Sequence, residues 1–171
     1  MSIKISSVYN GILTQQFPAL VTILKEAQAH AAEQGVSEQS LLDARLRDDM
    51  HPLLWQFQAV LDLAVRGSAR LTGQEPPSFE LDETNFADLI SRIESVADEL
   101  AGFDEAALDA SSDKQFEIPM GPEASITLSG QDYILKFLLP NFYFHMTTAY
   151  AILRKEGVQL GKLHFLGPVT L

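Results

Sequence analysis

A short polar stripe interrupts the most apolar stretch of this chain. Between Phe137 and Leu153 no residue carries a formal charge. At about 100° per residue Asn141 and His145 lie within about 40° of each other on a helix, and Thr148 continues the same face. A buried polar group without a partner costs ~1–3 kcal/mol, so this stripe needs a protein partner, a water or a metal. An imidazole there could bind a ligand or act as a general base, because its ordinary pKa lies near neutrality.

A second polar face lies on the second long helix predicted along the chain. Asp49 and Gln56 are seven residues apart, and a seven-residue step returns to within about 20° on a helix. If this face meets that of the last helix, the two polar sets converge between helices, where bundles build ligand and metal sites. The predicted ligand site therefore has five members: Asp49, Gln56, Asn141, His145 and Thr148.

Structural roles compete with that hypothesis at each position. His145 could be a hydrogen-bonded core histidine, since buried polar groups are normally paired. Asn141 follows Pro140, and a proline leaves a carbonyl of the preceding turn unpaired, which a nearby amide could satisfy. His51 is placed about 140° around the helix from Gln56, which predicts packing at the helix entry and no share in the site.

Established catalytic motifs are missing from the sequence. It contains no His-x-x-x-His, His-Glu-x-x-His, Gly-x-Ser-x-Gly, P-loop or dinucleotide-binding fingerprint. The motifs therefore indicate no enzyme class.

Composition excludes several classes of partner. Twelve Lys and Arg against 23 Asp and Glu give a net charge of −11, which disfavours binding to nucleic acid and to anionic membrane surfaces. The absence of cysteine removes disulfides, thiolate nucleophiles and cysteine-type zinc sites, and favours a cytoplasmic location. The N-terminus does not resemble a secretory signal, and the apolar stretch near residues 137–153 is too short to span a bilayer.

Hydrophobic periodicity predicts four long helices. The first runs from Ser6 or Ser7 to about Gln34, and a short helical piece opens at Ser37. The second runs from a cap at Asp48 or Asp49, with Pro52 in its first turn, to about Leu71. The third begins near Thr84 and ends at Gly102, and the fourth runs from a cap at Ser129 to Gly157 with a kink at Pro140.

The remaining segments connect these helices. Two prolines predict a loop at residues 74–78. Alternating residues at 114–120 and 125–128, around a Gly-Pro turn, predict a β-hairpin between the third and fourth helices. The tail at residues 158–168 shows no clear period. The predicted fold is all-α, a four-helix bundle with a small β-hairpin, in a single domain over residues 1–171.

Several short runs carry a resemblance to a known family. They are Arg45-Leu46, Asp49-Met50, Pro52-Leu53, Gln56, Ser129-Gly130-Gln131-Asp132-Tyr133, Leu139-Pro140-Asn141-Phe142, Phe144-His145, Thr147 to Arg154, Gly157-Val158 and Leu160-Gly161-Lys162. With them the chain resembles a bacterial domain-of-unknown-function family in the DinB/YfiT-like superfamily, whose four-helix bundles are often labelled metalloenzymes. The resemblance covers nearly the whole chain and implies a DinB-like bundle.

The resemblance also implies a metal site. Typical superfamily members hold a divalent metal with one His from the second helix and a His-x-x-x-His pair from the last. Alignment places Asn141 and His145 at that pair, so this chain has Asn-x-x-x-His, and the second helix offers Gln56 or Asp49 in place of His. Amide oxygens are weak ligands for zinc or nickel. The sequence therefore predicts no certain cofactor, with a divalent metal on His145 and Asn141 as an alternative.

Three functions follow. In the first, the chain is a cytoplasmic protein with a degenerate metal site between the second and fourth helices. That site binds a small molecule or has become structural. The second is an enzyme of the DinB-like thiol transferase, isomerase or hydrolase type, with His145 as general base. The third is a homodimeric scaffold, because the aromatic residues of the fourth helix exceed what one stripe can bury; they are Phe137, Phe142, Tyr143 and Phe144.

Overall fold

The computed structural model describes residues 4–75 and 82–168. Its helices, in chain order, are α1 (Ile5–Gly11), α2 (Phe17–Gln34), α3 (Glu38–Leu42), α4 (Leu53–Thr72), α5 (Phe86–Ala101), α6 (Glu105–Asp109), α7 (Gly130–Asp132), α8 (Leu139–Lys155) and α9 (Lys162–Leu166). Two π-helical segments, Ile12–Gln16 and Tyr133–Leu138, join α1 to α2 and α7 to α8.

The four long helices form a bundle, as the sequence predicted. They are the continuous α1–α2, then α4, α5 and the continuous α7–α8. Helix α4 packs along α8, and α2 packs along α5. One continuous apolar core lies between them, and its largest fully buried side chains include Phe17, Phe57, Phe86, Tyr133 and Phe142. In the described ranges no helix is long and apolar enough to cross a membrane.

Both π-helical segments come just before a proline. Pro18 and Pro140 each occupy the start of the α-helix that follows. A proline cannot donate a hydrogen bond to the preceding turn, and its ring collides with the carbonyl four residues earlier in an α-helix. A π-helical turn removes that conflict locally. The predicted irregularity at Pro140 therefore takes the form of a π turn inside a continuous helix.

A two-stranded antiparallel sheet confirms the predicted hairpin. Strand β1 (Gln115–Pro119) pairs with β2 (Ser125–Ser129), in a register that sets Gln115 opposite Ser129. Gly121 supplies the positive φ that the turn needs. Ser129 ends β2 and accepts a hydrogen bond from the Asp132 amide, so the predicted cap of the last helix is confirmed.

The predicted start of the second helix was wrong. Neither Asp48 nor Asp49 caps it, because Pro52 is the N-cap and has an extended backbone. The first amide of α4, that of Leu53, donates to the carbonyl of Ala44 at 2.9 Å. A backbone group of the preceding loop therefore takes the place of an aspartate cap.

Three smaller differences involve packing or position. Helix α1 begins at Ile5, before the predicted serine caps, and the Ser6 amide donates to Asp109 of α6. The tail contains the short helix α9, which the sequence did not predict. The predicted loop at residues 74–78 lies mostly outside the described residues.

Gly130 provides a test of how closely the last helix approaches the turn after α6. A methyl group at Gly130 would overlap the backbone carbonyl of Ser111. We expect Gly130→Ala to lower the free energy of unfolding by about 1–3 kcal/mol, because backbone cannot move aside cheaply. Chemical denaturation measures this change.

Gly11→Ala is the matched control. Gly11 has helical backbone angles, and nothing lies within 4 Å of an added methyl group. Alanine there should leave stability unchanged or raise it by up to about 1 kcal/mol. Equal effects of the two substitutions would contradict the close approach at Gly130.

Candidate functional site

The packing of α4 against α8 brings two of the predicted site residues into contact. His145 Nδ1 and Gln56 Oε1 are 2.8 Å apart. Gln56 is buried, with 2% of its surface exposed, and its Nε2 donates to the backbone carbonyl of His51 at 3.0 Å. Both ends of the buried amide are therefore paired, as burial requires.

This arrangement determines the tautomer of His145. The carbonyl of His51 can only accept, so the Gln56 nitrogen must face it and the Gln56 oxygen must face the imidazole. An amide oxygen also only accepts, so His145 Nδ1 carries a proton and donates it. In the neutral ring Nε2 is then unprotonated. Within the described residues Nε2 has no protein hydrogen-bond partner, so it can accept a hydrogen bond or a proton.

Aromatic rings enclose this imidazole. Trp55 meets the His145 ring edge-on at 5.1 Å between ring centroids, and Phe144 does the same at 5.1 Å. His51 stacks on Trp55 at 4.0 Å, with an interplanar angle of 16°. The site thus contains an aromatic group that the sequence analysis did not single out.

His51 packs at the helix entry, as the sequence predicted, but its ring stacks on Trp55 and its carbonyl accepts from Gln56. The helical angle that separated it from Gln56 does not apply, because the helix begins only at Leu53, after an extended Pro52. Trp55 was missed altogether. One signal could have found it: it is the single tryptophan of the chain.

Burial lowers the pKa of His145 below its ordinary value of 6.5, and the nearby His51 lowers it further. Burial acts because the charged imidazolium loses solvation, and His51 acts because two positive rings would repel each other. Both causes favour the neutral ring at neutral pH. That is the form in which Nε2 can accept a hydrogen bond.

A groove of about 350 Å³ opens beside the rings of Trp55 and His145. It is called the tryptophan groove below. Its volume lies within the range of small-molecule sites, about 300–1,000 Å³. More apolar than polar surface lines it. Its lining residues are Trp55, Gln58, Ala59, Asp62, Leu63, Arg66 and His145. Six of these seven belong to α4, and α8 contributes His145.

A buried carboxylate fixes the orientation of Gln58 in this groove. Gln58 Nε2 donates to Glu83 Oε2 at 2.8 Å, and Arg92 Nε donates to the other oxygen of Glu83 at 2.6 Å. Glu83 and Gln58 are both buried, so the carboxylate relies on these partners for its stabilisation. The amide nitrogen of Gln58 is held toward Glu83, which leaves the amide oxygen as an acceptor for other groups.

The other predicted site residues bond elsewhere. Asn141 Nδ2 donates to the carbonyl of Phe137 at 2.7 Å, and Thr148 Oγ1 donates to that of Phe144 at 2.7 Å. Both bonds stay within the last helix, and the carbonyl that Asn141 bonds is that of Phe137, one residue after Lys136, whose carbonyl lies four residues before Pro140. Asp49 is exposed in the loop before α4, where no described hydrogen bond joins it to the imidazole. Any ligand-binding role for these three residues stays a prediction.

The sequence of residues 7–166 matches the family described as "Domain of unknown function (DUF1993)". The chain belongs to this family. The predicted resemblance to a family of unknown function is thereby confirmed. No curated protein matches the chain.

A solved structure places this DUF1993 chain among DinB-like folds. A DinB family member from Shewanella denitrificans is 35% identical, with a TM-score of 0.87, over 98% of this chain and 96% of that one. The predicted DinB-like bundle is confirmed by this similarity.

The residues of this DUF1993 chain do not fit the metal site that the superfamily resemblance implies. A catalytic zinc site commonly has three protein ligands, and the described ranges contain no group of three His, Asp or Glu side chains placed to hold a metal. The Gln56 oxygen already accepts from His145, and Asn141 could offer only an amide oxygen, which is a weak ligand for zinc or nickel. One imidazole nitrogen is then the single strong donor that the site offers.

The lowered pKa of His145 predicts how stability depends on pH. Protonating this residue costs more in the folded state than in the unfolded state, so its contribution is complete above pH 6.5 and is lost as the pH falls through the lowered pKa. We expect the unfolding free energy of the unmodified protein to fall more between about pH 7 and pH 5 than that of His145→Gln. Urea denaturation at each pH measures it, and parallel curves would refute the assignment.

The cause of the shift can be tested separately. Proton NMR titration should show His145 titrating below 6.5, and His51→Gln should move its pKa back toward that value by removing the second cause. His30→Gln is the control, because His30 lies beside Gly157 and outside the groove. An unchanged His145 titration in His51→Gln would show that the two rings do not interact.

Proposed function

We propose that this protein binds a small organic molecule in the tryptophan groove, with His145 Nε2 as the hydrogen-bond acceptor that orients it. The observation that carries the proposal is the 2.8 Å bond between His145 Nδ1 and Gln56 Oε1. It fixes the proton on Nδ1 and leaves Nε2 for a ligand. The zero-cysteine composition suits a reducing compartment, and we infer the cytoplasm.

The surroundings of His145 support binding more strongly than a purely structural role. His145 is only partly buried, and its Nε2 is not among the buried atoms that lack a partner, so this nitrogen is open to solvent or to a ligand. Here one nitrogen is paired, the ring lines a groove of ligand size, and Trp55 supplies a large apolar wall. Aromatic walls with few placed polar groups are typical of small-molecule sites.

General-base catalysis is the second candidate function. It is favoured by the combination of an unprotonated Nε2, a partly buried ring and a partner that orients Nδ1, since a base needs a fixed tautomer and a neutral form. The base would take a proton from a ligand held in the groove. If His145→Gln keeps its fold and its turnover of a substrate, this second function is excluded.

A homodimer is a further alternative, supported by apolar residues on the outer side of the last helix. Phe142 is buried, but Tyr143 and Phe144 are 38% and 56% exposed, and Leu135 is 52% exposed. Large exposed apolar side chains that lie together can mark an interaction surface. Light scattering that shows a monomer at high concentration would exclude this alternative.

Trp55 makes ligand binding directly measurable. As the single tryptophan, it is the source of the indole fluorescence, and it lines the groove. We expect members of a fragment library to shift or quench this emission, and His145→Gln to weaken their binding by about tenfold, the value of one hydrogen bond to a ligand.

His30→Gln is again the matched histidine control and should bind the same fragments unchanged. Equal binding by His145→Gln would remove the imidazole from the site. A library that leaves the emission of Trp55 unaltered would overturn the proposed function itself.

A further inference from the structure

The outer edge of β2 presents unpaired backbone groups to solvent. Next to the turn, the amide of Met120 donates to the carbonyl of Ala124. Hydrogen-bonded and non-bonded pairs alternate along an antiparallel ladder, so the following pair, Pro119 with Ser125, is non-bonded. The backbone N–H and C=O of Ser125 therefore point away from β1, and those of Thr127, two residues on, do the same. In the described part of the chain no hydrogen bond reaches these four groups, and both residues are exposed.

The two edges of the hairpin differ in how they oppose pairing with a further strand. On the outer edge of β1, Pro119 has no amide proton and Glu117 adds a charge. Proline and charged side chains are the usual protection of an edge strand. Strand β2 has neither, and its Ile126 is 39% exposed. Such an unprotected edge is a template for the addition of an extended segment.

A hollow of about 440 Å³ beside this edge is acidic. Glu117, Glu123 and Ser125 are among the residues that line it, and none of its described lining residues is basic. The Glu117 carboxylate reaches across the sheet and accepts a hydrogen bond from the Ser125 hydroxyl at 2.5 Å. Its charge therefore lies over β2, close to the outer edge, where it favours a cationic partner.

The same charges disfavour a second copy of this chain as that partner. Pairing β2 with its own copy would bring two Glu117 and two Glu123 carboxylates to one small sheet. Each copy also carries a net charge of −11, and like charges repel. A segment of another protein with cationic side chains has the complementary charge.

The alternation of side chains along a strand determines where those cations belong. A residue placed directly opposite Ile126 lies on the same face of the sheet, which is the face of the buried Ile118. The residues before and after it point to the other face, where Glu117 lies. The edge therefore suits an apolar residue flanked by two cationic ones.

We propose that the outer edge of β2 binds an extended segment of another protein in which an apolar residue lies between two Lys or Arg residues. The two basic residues exchange backbone hydrogen bonds with Ser125 and Thr127, and the apolar one packs on Ile126. The cationic side chains pair with Glu117 and Glu123. None of these residues lines the tryptophan groove, so the inference does not depend on ligand binding there.

Two peptides of alternating sequence test the charge of the partner. One repeats Lys-Val and the other Glu-Val, both have blocked ends, and both are long enough to cover the five residues of β2. In proton–nitrogen NMR of the full chain, the Lys-Val peptide should shift the amides of Ser125 and Thr127 and slow their hydrogen exchange. We expect it to bind at least about tenfold more tightly than the Glu-Val peptide, and more weakly as salt is added.

Proline substitutions on the two edges test the backbone hydrogen bonds. Thr127→Pro removes an outward N–H of β2, and Gln115→Pro removes an outward N–H of β1. Neither proton serves the ladder between β1 and β2, so the two variants are matched. We expect Thr127→Pro to weaken the Lys-Val peptide about fivefold, the value of one hydrogen bond, and Gln115→Pro to leave its affinity unchanged.

A charge variant keeps the test valid if proline disturbs the hairpin. Glu117→Gln removes the carboxylate but keeps an oxygen that can accept from Ser125. It should weaken the Lys-Val peptide several-fold. Glu33→Gln removes the same charge from α2, outside the hairpin, and should leave the affinity unchanged.

Every other outcome overturns the inference. It is wrong if neither peptide binds, if both bind alike, or if the Lys-Val peptide shifts other amides only. If the amides of Ser125 and Thr127 shift with protein concentration alone, and Thr127→Pro abolishes that shift, the edge binds a second copy and the basic partner is refuted. Selective binding of the Lys-Val peptide that Thr127→Pro and Glu117→Gln weaken, and their controls do not, supports it.

Discussion

The buried amide of Gln56 is the constraint on which the candidate site depends. It lies between α4 and α8, where an unpaired polar group would destabilise the packing by ~1–3 kcal/mol. Its nitrogen is bonded to the carbonyl of His51 and its oxygen to the imidazole of His145. One side chain thus links the loop before α4 to the last helix. The same two bonds determine which nitrogen of His145 carries the proton. The side chain that stabilises the packing of α4 on α8 therefore also sets the tautomer of the site histidine.

Much of the fold was predictable because its signals are local. Period-3.6 apolar spacing found the four long helices, alternation found the hairpin, and Ser129 marked the start of the last helix as its cap. The predicted helix starts were wrong where a residue distant in sequence, and not a neighbouring side chain, bonds the first amides of the helix. The amide of Ser6 is bonded by Asp109 of α6, a partner 103 residues away that no window of sequence reveals.

The candidate site was predictable in part for the same reason. Helical arithmetic placed Gln56 and His145 each on a polar face of its own helix, with the meeting of the two faces as a hypothesis, and the structure joins these two residues. It failed for His51, because Pro52 is extended and the angle per residue of a helix does not apply before Leu53. Trp55 was missed because no motif contains it, and its significance comes from the ring stacked on it. Polar residues on one helix show where a site could be, but the opposite helix decides which of them it uses.

The π-helical turn before α8 affects which residues of the last helix face the core. Along the last helix, Ile134, Leu138, Phe142 and Met146 are buried and recur every four residues. Each such step exceeds a full α-helical turn by about 40°, so in an unbroken α-helix the buried face would rotate by about 120° from the first to the last. The wider turn covers the first of these steps and offsets part of that rotation, and all four residues lie on the core. Two separate features of the sequence therefore favour the π-helical turn before α8. One is the four-residue apolar spacing, and the other is the missing amide proton of Pro140.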